Sequence, residues 1–422
     1  MRIAIVGGGI VGLTTALSLA AAGFRPAVYE AVTDIKPLGV GINLLPHAVR
    51  ELAELGLLED VRQLGVEIEQ LTYRMEDGRE VWREPRGSKA GYNWPQIAIH
   101  RGRFHQFLLR KVRETLGQDA VRTGCVLNRI EACDTGATLS FDNAAAVDAD
   151  VAVGADGIHS AVRRQFYPDE GRPLWNGVSL FRSTTRLPRT LFGDEMLWAG
   201  HADQKFIAYP IIFYRDRNEV QLNWVCDLRT AEPGSVPRED WNRVVDRAQL
   251  VPCYRSWKWN GVDVASIISR SNDVFEFPMV DRDPIPRWSF GRVTLAGDAA
   301  HPMYPIGSNG ATQGIIDARV LSYHLATASD PALALKRYEE ARLEPTRNIV
   351  LGNRAQGPDR ILEIARQRAA DPHVDIEWAI PFAERAEIAA AYKRLAGFSP
   401  EALNAQASHS VPRAANGTAK PS

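Results

Sequence analysis

Three glycines and one acidic residue near the start of the chain have the types and spacing that dinucleotide binding requires. The opening stretch MRIAIVGGGIVGLTTALSLAAAGFRPAVYE places Gly7, Gly9 and Gly12 in a GxGxxG pattern, and Glu30 follows the last of them by 18 residues. The first glycine permits a tight turn, the second lets the backbone approach a pyrophosphate, and the third allows a helix to pack closely on a strand. A carboxylate at Glu30 can accept both hydrogen bonds of a ribose diol. The pattern predicts a dinucleotide site.

A strand, a helix and a second strand must position these residues, and the surrounding sequence predicts all three. Ile3 to Val6 is a short apolar run with β-branched residues, typical of a strand buried on both faces. Val11 to Ala22 is rich in alanine and leucine, which favour a helix, and Ala27 to Tyr29 forms the second strand. The N-terminus of such a helix offers free N–H groups and a positive dipole to phosphates. The segment is therefore interpreted as a βαβ unit.

The same segment has a competing interpretation as a membrane span or signal segment. Between Arg2 and Arg25 there are 22 consecutive residues without a charge, and about 20 apolar residues suffice to cross a bilayer. However, four glycines interrupt the run where the dinucleotide pattern needs them. We therefore interpret the uncharged run as the interior of a folded domain and predict no membrane insertion.

Composition favours small-molecule chemistry over nucleic-acid binding. The chain has 422 residues, 45% of them hydrophobic, with a formal net charge of −1 and a pI near 6.8. Nucleic-acid binding generally needs clustered Lys and Arg, which this balance does not indicate. The nine histidines contain no HxxxH pair, so no metal site is predicted. Four scattered cysteines without CxxC spacing indicate reduced thiols and a cytoplasmic location: Cys125, Cys133, Cys226 and Cys253.

Two further stretches predict a buried strand that ends at a glycine and an acid. In VAVGADGIHSAVR, a strand over Val151 to Val153 precedes a sharp turn at Asp156 and Gly157. In GRVTLAGDAAHPMYPIGSNGATQGIIDA, a strand over Val293 to Ala296 ends at Gly297 and Asp298, and a helix is predicted from Ala311 onward. Both turns are candidates for additional phosphate or ribose contacts.

Taken in order, the three motifs resemble the signatures of the single-component FAD-dependent aromatic hydroxylases, a family that includes p-hydroxybenzoate and salicylate hydroxylases. The resemblance extends from residue 1 to about residue 355 and is closest to bacterial members that hydroxylate a phenazine carboxylate. It implies an α/β fold in which a Rossmann-like FAD-binding domain with a parallel sheet is interleaved with a substrate domain. That second domain would have a mainly antiparallel β-sheet, followed by a helical C-terminus. The stretches that carry the closer likeness are PLGVGINLLPHAV, VWREPRG, IAIHRGRFH, PMVDRDPIP and AAHPMYPIGSNGATQ.

Carried over residue by residue, the resemblance implies a set of FAD contacts. The GxGxxG glycines and Glu30 would hold the ADP half, Val126 would contact adenine through its backbone, and the DG turn would serve both FAD and NAD(P)H. A helix N-terminus after the PIGSNG segment would stabilise negative charge on reduced flavin. The implied cofactor-binding residues are Gly7, Gly9, Gly12, Glu30, Arg101, Val126, Asp156, Gly157, Asp298, Gly307, Asn309 and Gly310.

The family resemblance also implies the reaction. NADH or NADPH would reduce bound FAD, O2 would give a flavin C4a-hydroperoxide, and oxygen would be transferred to an aromatic or N-heteroaromatic small molecule. Loss of carbon dioxide from a carboxylated ring carbon is left open. Two alternatives also stay open: a flavin epoxidase or NAD(P)H oxidase on the same fold, and a non-catalytic FAD-binding protein.

Substrate contacts are expected from the middle of the chain. Trp175 to Trp288 contains seven of the ten tryptophans and alternating stretches such as KFIAYPIIF and VQLNWVCDL, which predict an antiparallel sheet. Core packing is the competing interpretation for its aromatic residues, and a surface position for its arginines. The candidates are Tyr209 and Trp224 for the ring, Arg182 for a carboxylate, Tyr304 and Pro305 as catalytic residues beside the flavin, and His201, Tyr209 or Tyr304 as a base.

The chain is predicted to divide into four parts. A discontinuous FAD-binding domain comprises residues 1–75, 97–175 and 270–355, and the substrate domain comprises 76–96 and 176–269. A helical segment over 356–398, broken near Asp371 and Pro372, would cover the domain junction or a dimer contact. Residues 399–422 are small and polar and predict a disordered tail. The oligomeric state is expected to be a monomer or a homodimer.

Overall fold

The computed structural model describes residues 1–37, 39–235, 243–271 and 273–411. The last part of the predicted disordered tail, residues 412–422, lies outside the described residues. The helices, strands and contacts given below all lie within these four ranges.

Helices and strands alternate through the first half of the chain, and helices dominate its end. Helices α1 to α12 are Ile10–Ala21, Pro46–Glu54, Leu58–Leu64, Arg101–Leu116, Ala161–Phe166, Val264–Ser269, Gly310–Thr327, Pro331–Arg354, Arg360–Arg368, Ile376–Ala379, Phe382–Leu395 and Pro400–Ala405. Strands β1 to β22 are Ile3–Val6, Ala27–Tyr29, Gly41–Leu44, Gly65–Ile68, Gln70–Arg74, Glu80–Pro85, Gln96–His100, Val121–Arg122, Leu127–Cys133, Gly136–Phe141, Val147–Ala149, Val151–Gly154, Leu174–Pro188, Glu195–His201, Gln204–Tyr214, Glu219–Arg229, Gly234–Ser235, Arg243–Val245, Lys258–Trp259, Val262–Asp263, Val274–Asp281 and Val293–Leu295. Within the described ranges, no helix has both the length and the apolar character that crossing a bilayer would need.

A five-stranded parallel sheet lies at the centre of the N-terminal part, with strand order β22-β12-β1-β2-β8. All four residues of β1 are buried, because α1 and α7 pack together against this sheet and their apolar side chains join its core. The predicted βαβ unit is confirmed, and so are the strands that lead into the two glycine–acid turns. These three connections bring all of the predicted turns to one edge of the sheet.

A second, larger sheet has nine strands and is mainly antiparallel, with β17 paired to β13 beside the path β18-β21-β13-β16-β15-β14-β5-β6. The two alternating stretches of the sequence form β15 and β16, which pair antiparallel. The α/β class with one parallel and one mainly antiparallel sheet is therefore confirmed. The smaller sheet β3-β7-β4 lies between the two, and its strand β7 packs against β15.

Two of the predicted boundaries shift because strands from distant parts of the chain complete the large sheet. Strand β5 pairs with β6 in an antiparallel hairpin and with β14 in parallel, so a boundary at residue 75 would divide the hairpin. Strand β21 pairs with β13, which places residues 274–281 in the large sheet rather than in the cofactor domain.

The C-terminal segment is folded against the rest of the protein. Helices α9, α10 and α11 bracket the predicted break near Asp371, and Ile361 and Leu362 are buried against the large sheet. Beyond residue 399, α12 buries Leu403, and the Arg50 guanidinium donates to the Gln406 carbonyl oxygen at 3.0 Å. The prediction of disorder is therefore wrong for residues 399–411, because this segment supplies a hydrophobic anchor and backbone acceptors to a buried arginine.

Candidate active site

A groove with about 1460 Å³ of empty space runs along the carboxyl-terminal edge of the parallel sheet. This edge is where α/β proteins bind ligands, since the helix N-termini and the strand-to-helix loops meet there. Nine of the twelve predicted cofactor residues line the groove: Gly7, Gly9, Glu30, Arg101, Val126, Asp156, Gly157, Asp298 and Gly310.

The three glycines of the first motif have backbone geometry that suits the roles predicted from their spacing. Gly7 has a φ of +103°, and a β-carbon there would lie 2.4 Å from the Ala155 carbonyl oxygen. A β-carbon on Gly12 would lie 2.0 Å from the Gly7 carbonyl oxygen, so α1 could not begin so close to β1 with any side chain at this position. Gly9 differs, because its β-carbon would meet no protein atom within 4 Å. Its backbone therefore borders open groove, as close approach of a pyrophosphate requires.

Glu30 is held at the end of β2 with its carboxylate beside the glycine turn. Its Oε2 accepts the Gly8 N–H at 2.6 Å, and its Oε1 accepts the Val32 N–H at 2.9 Å. A carboxylate has about four acceptor positions, so each oxygen retains capacity for a further donor. The geometry fits the predicted contact with a ribose diol.

Arg101 and Asp298 are two charged side chains that line the groove and have no evident part in holding the fold together. Both are accessible to solvent although protein surrounds them, and neither side chain forms a hydrogen bond within the described part of the chain. Enclosure raises the pKa of Asp298, against the opposing charges of His301 and Arg101. The guanidinium is suited to a phosphate group and the carboxylate to a hydroxyl group, so the pair fits a ligand that carries both.

The DG turn has a structural role as well as a position in the groove. Asp156 accepts the Ser160 hydroxyl at 2.6 Å and the Ala161 N–H at 2.7 Å, which fixes the start of α5. Gly157 follows with a φ of +77°, where a residue with a side chain would be strained. Burial raises the pKa of Asp156, although the hydrogen bonds from Ser160 and the backbone oppose this. Here the backbone of the turn faces the groove while the carboxylate holds the helix.

The N-terminus of α7 lies where the groove meets a second cavity. Gly310 and Ala311 line both spaces, and no side chain caps the helix, so its first N–H groups remain available to a ligand. Asn309 instead donates to the Tyr392 hydroxyl at 2.9 Å. Gly307 has a φ of +70° and packs against the same hydroxyl, which a β-carbon would approach to 2.1 Å. Asn309 and Gly307 thus shape the loop rather than line the groove.

Tyr392 on α11 is a residue that no motif or spacing in the sequence singles out. Its hydroxyl also donates to Asn353 Oδ1 at 2.9 Å, and Asn353 donates in turn to the Tyr304 carbonyl oxygen at 3.1 Å. The loop before α7 is therefore tied to two C-terminal helices.

A buried ionic network supports the second glycine–acid turn from below. The carboxylate of Asp317 accepts the Gly297 N–H at 2.9 Å, His301 Nε2 lies at 2.5 Å, and the Arg342 guanidinium donates at 2.7 Å. Burial alone would raise the pKa of Asp317, but the charges of His301 and Arg342 lower it to about 2. The network fixes the backbone that precedes Asp298.

We expect the contribution of Asp317 to stability to decrease in acid. Its folded pKa of about 2 lies below the ordinary value of 3.8, so the stabilisation is fully present above pH 3.8 and is lost as the pH falls through 2. This proton linkage amounts to about 2 kcal/mol. Urea unfolding of the wild type and of Asp317→Asn at several pH values measures it. The difference in the free energy of unfolding between the two proteins should become smaller below pH 3.8. A difference that does not change with pH would contradict the lowered pKa of Asp317.

The second cavity, with about 990 Å³ of empty space, lies between the loop before α7 and the large sheet. Of the predicted substrate-side residues, it brings together Arg182, Tyr209 and Pro305. The Arg182 guanidinium donates to the Gly41 carbonyl oxygen at 2.7 Å, while its Nε is buried without a partner in the described part of the chain. Burial raises the pKa of the Tyr209 hydroxyl, against the opposing charge of Arg182. Apolar side chains form much of the remaining wall: Ile42, Leu180, Met196, Trp198, Ile207, Val225, Met279 and Met303.

Three other predicted residues do not line this cavity. Trp224 is fully buried on the opposite face of β16, where its indole N–H donates to Thr185 at 3.0 Å. Tyr304 packs among core side chains, and burial, together with nearby Asp281, raises its pKa to about 12. His201 lies at the end of β14 with its Nδ1 2.8 Å from the Arg366 guanidinium. The structure thus places Trp224, Tyr304 and His201 outside the residues that line the cavity, and their predicted roles in ring contact, catalysis and base chemistry stay predictions.

Comparison with known proteins identifies the class to which this fold and site belong. Residues 1–351 match the FAD binding domain family, so the chain belongs to that family. It is an FAD-dependent monooxygenase of the aromatic hydroxylase class, with NAD(P)H and O2 as co-substrates. The predicted cofactor and reaction class are thereby confirmed, and the non-catalytic alternative is excluded.

Individual relatives make the likeness more specific. The chain is 41% identical over 367 residues to phenazine 1,6-dicarboxylic acid hydroxylase of Lysobacter antibioticus, covering 83% of this chain and 89% of that protein. It is 31% identical to 3-hydroxybenzoate 6-hydroxylase 1 of Aquipseudomonas alcaligenes, over 82% of this chain and 86% of the other. Among solved structures, Klebsiella pneumoniae HpxO complexed with FAD and uric acid shares the fold, with a TM-score of 0.71 and 22% identity over 95% and 94% of the chains.

Proposed function

We propose that this enzyme hydroxylates a flat, carboxylated N-heteroaromatic compound of about the size of a phenazine carboxylate. The observation that carries the proposal is Arg182, whose guanidinium lies in the cavity wall beside apolar side chains, with one donor unpartnered among the described residues. A planar guanidinium matches a carboxylate in shape and charge. The similarity to a hydroxylase of phenazine 1,6-dicarboxylic acid supports the same substrate class.

The floor of the cavity supports a planar ring system. Along the sheet, Arg182 lies opposite Val225, which in turn lies opposite Ile207, so a row of one charged and two apolar side chains crosses the floor. Such a surface fits one face of a planar ring.

The residues of the chain position the reactants, and bound FAD supplies the oxygen chemistry. We assign Gly7, Gly9, Gly12 and Glu30 to the ADP half of FAD, and Arg101 and Asp298 to its central part. The uncapped N-terminus of α7 is suited to negative charge on the flavin ring. The apolar side chains of the cavity wall would limit the access of water to the reacting ring, which favours oxygen transfer over unproductive release of peroxide.

Replacing Arg182 tests the proposed substrate class. In FAD-loaded protein, Arg182→Met should weaken binding of phenazine-1-carboxylate by about 2–3 kcal/mol, the value of a hydrogen bond between charged groups. Phenazine-1-carboxamide, which has the same shape without the charge, should be affected less than about threefold, under 1 kcal/mol. The dissociation constants can be read from changes in flavin absorbance.

The control for this test is Arg186→Met, which replaces an exposed arginine on the same strand and should leave both ligands unaffected. Equal binding of the acid and the amide to wild-type protein would contradict the proposal. Product mass from NADH and NADPH reactions then distinguishes gain of one oxygen from replacement of the carboxylate. A cytoplasmic location and a monomeric or homodimeric state remain predictions.

A further inference from the structure

A buried cluster of three ionic side chains lines the substrate cavity, and no part of the reaction described above uses it. Lys205 on β15 has its Nζ 3.5 Å from Asp227 Oδ2 on β16. The same Nζ forms a shorter ion pair with Asp359, which directly precedes α9. The exposed fractions of the three side chains are only 3%, 3% and 7%. We call this cluster the Lys205 triad.

Stabilisation of the fold does not account for the Lys205 triad. Burying charges is expensive, and an apolar replacement of a buried ion pair is often as stable or more so. One oxygen of each carboxylate, Asp227 Oδ1 and Asp359 Oδ1, is buried without a hydrogen-bond partner among the described residues. A buried acceptor without a partner loses its hydrogen bonds to water and gains nothing in return. Burial also raises the pKa of Asp227 to about 6, although Lys205 opposes this. The described residues therefore provide no hydrogen-bond donor for either oxygen.

The sheet register places the triad at a defined distance from Arg182. Asp227 lies opposite Lys205 in one cross-strand row, while Val225, two residues earlier on the same strand, lies opposite Arg182. Two residues along a strand span about 7 Å. A ligand whose carboxylate meets Arg182 can therefore reach the triad with the opposite edge of a fused ring system.

We propose that the Lys205 triad accepts a hydrogen bond from a hydroxyl or amino group of the substrate, at the edge opposite to its carboxylate. The inference rests on the proposed function, because the ligand is taken to be a carboxylated ring. Two carboxylates around a single ammonium favour a donor and disfavour a second carboxylate. A ring hydroxyl that donates to a carboxylate also becomes more electron-donating, which favours attack on the ring. The preferred substrate thus has one carboxylate and one donor, rather than a carboxylate at each end.

Ligand pairs test this without depending on turnover. Wild-type FAD-loaded enzyme is titrated with phenazine-1-carboxylates that carry one hydroxyl on the distal ring, with their methyl ethers, and with phenazine-1,6-dicarboxylate. At least one hydroxyl isomer should bind about tenfold more tightly than its ether and than the dicarboxylate, as expected for one charge-assisted hydrogen bond. Flavin absorbance gives the dissociation constants, and each variant below is measured in the same way.

Two variants locate the effect in the triad. Asp227→Asn and Asp359→Asn each leave Lys205 with one carboxylate, and each should reduce the hydroxyl-over-ether advantage to about threefold or less, because the acceptor loses its charge. Affinity for the ether should stay within about twofold, a difference of about 0.4 kcal/mol. Asp216→Asn, at an exposed carboxylate in the β15–β16 turn, is the control and should behave as wild type.

The outcomes separate the inference from the function on which it rests. If wild type binds hydroxyl and ether compounds equally while still preferring the acid to the amide at Arg182, the triad inference is overturned and the proposed function stands. If no carboxylated ring binds, both are overturned. If the advantage persists in both triad variants, the donor is recognised elsewhere and the inference is again wrong. The wild-type comparison decides the matter even where a variant does not fold.

Discussion

Replacing Gly9 with valine should leave the protein folded but reduce its affinity for FAD by about 100-fold or more, equivalent to about 2.7 kcal/mol. A β-carbon at Gly9 meets no protein atom within 4 Å, and the φ of −73° suits any residue. The added side chain therefore occupies only the groove space through which a pyrophosphate approaches the backbone. Flavin fluorescence during FAD titration of apoprotein measures the loss.

Companion variants separate a blocked groove from a weakened helix. Valine is a poor residue at the helix N-cap, whereas threonine has nearly the same volume and supplies a capping oxygen. Gly9→Thr should therefore lose FAD as Gly9→Val does, yet unfold at a higher temperature than the valine variant. Gly193→Val, at another glycine with free space around its β-carbon, should keep full affinity. Retention of FAD by both Gly9 variants would mean that the cofactor does not pass this backbone.

Asp317→Asn should be strongly destabilising, with a loss of about 3–5 kcal/mol in the free energy of unfolding. The substitution removes the charge that compensates Arg342 and the acceptor for His301, at a position with no solvent access. Because Asp317 also holds the Gly297 N–H, the loop that carries Asp298 should loosen and FAD should be retained less well. Urea unfolding of apoprotein and FAD-loaded protein gives both quantities.

A second substitution shows whether the loss comes from an uncompensated charge. Adding Arg342→Met to Asp317→Asn removes that charge. The double variant should therefore lose less free energy of unfolding than the two single variants lose together, by about 0.5–3 kcal/mol. Asp216→Asn, with its carboxylate 74% exposed, should change stability by less than about 0.5 kcal/mol. Strict additivity of the two substitutions would contradict a direct ionic coupling.

Local sequence determined the cofactor groove to a large extent. The βαβ unit, the DG turn and the second glycine–acid turn each place their key residues within a few positions of a buried strand, and parallel strands bring these ends to one edge. Spacing alone therefore indicates Glu30, and the second glycine–acid turn makes Asp298 a candidate. Gly307 and Asn309 are implied by the family resemblance, but they shape their loop, because Tyr392 from a distant helix occupies the space beside them.

The residues that line the substrate cavity were much harder to predict from the sequence. Both faces of β16 are covered by protein, so apolar residues occur on each and periodicity does not reveal which face borders the cavity. Periodicity therefore favours Trp224 as readily as Val225 and Asp227, although it is the latter two that line the cavity. Asp359 and Lys205 lie 154 positions apart in the chain, and the two meet only through the packing of α9 against the large sheet.

The C-terminal segment contributes to the substrate cavity from outside the matched family region. The matched family region ends at residue 351, yet Asp359 reaches the cavity wall and Tyr392 secures the loop before α7. The residues assigned above to the nucleotide half of the cofactor lie in the first third of the chain. Exchange of the last 70 or so residues between relatives should therefore alter the choice of substrate while leaving the proposed nucleotide contacts unchanged, so the start of this segment is a suitable crossover point for chimeric enzymes.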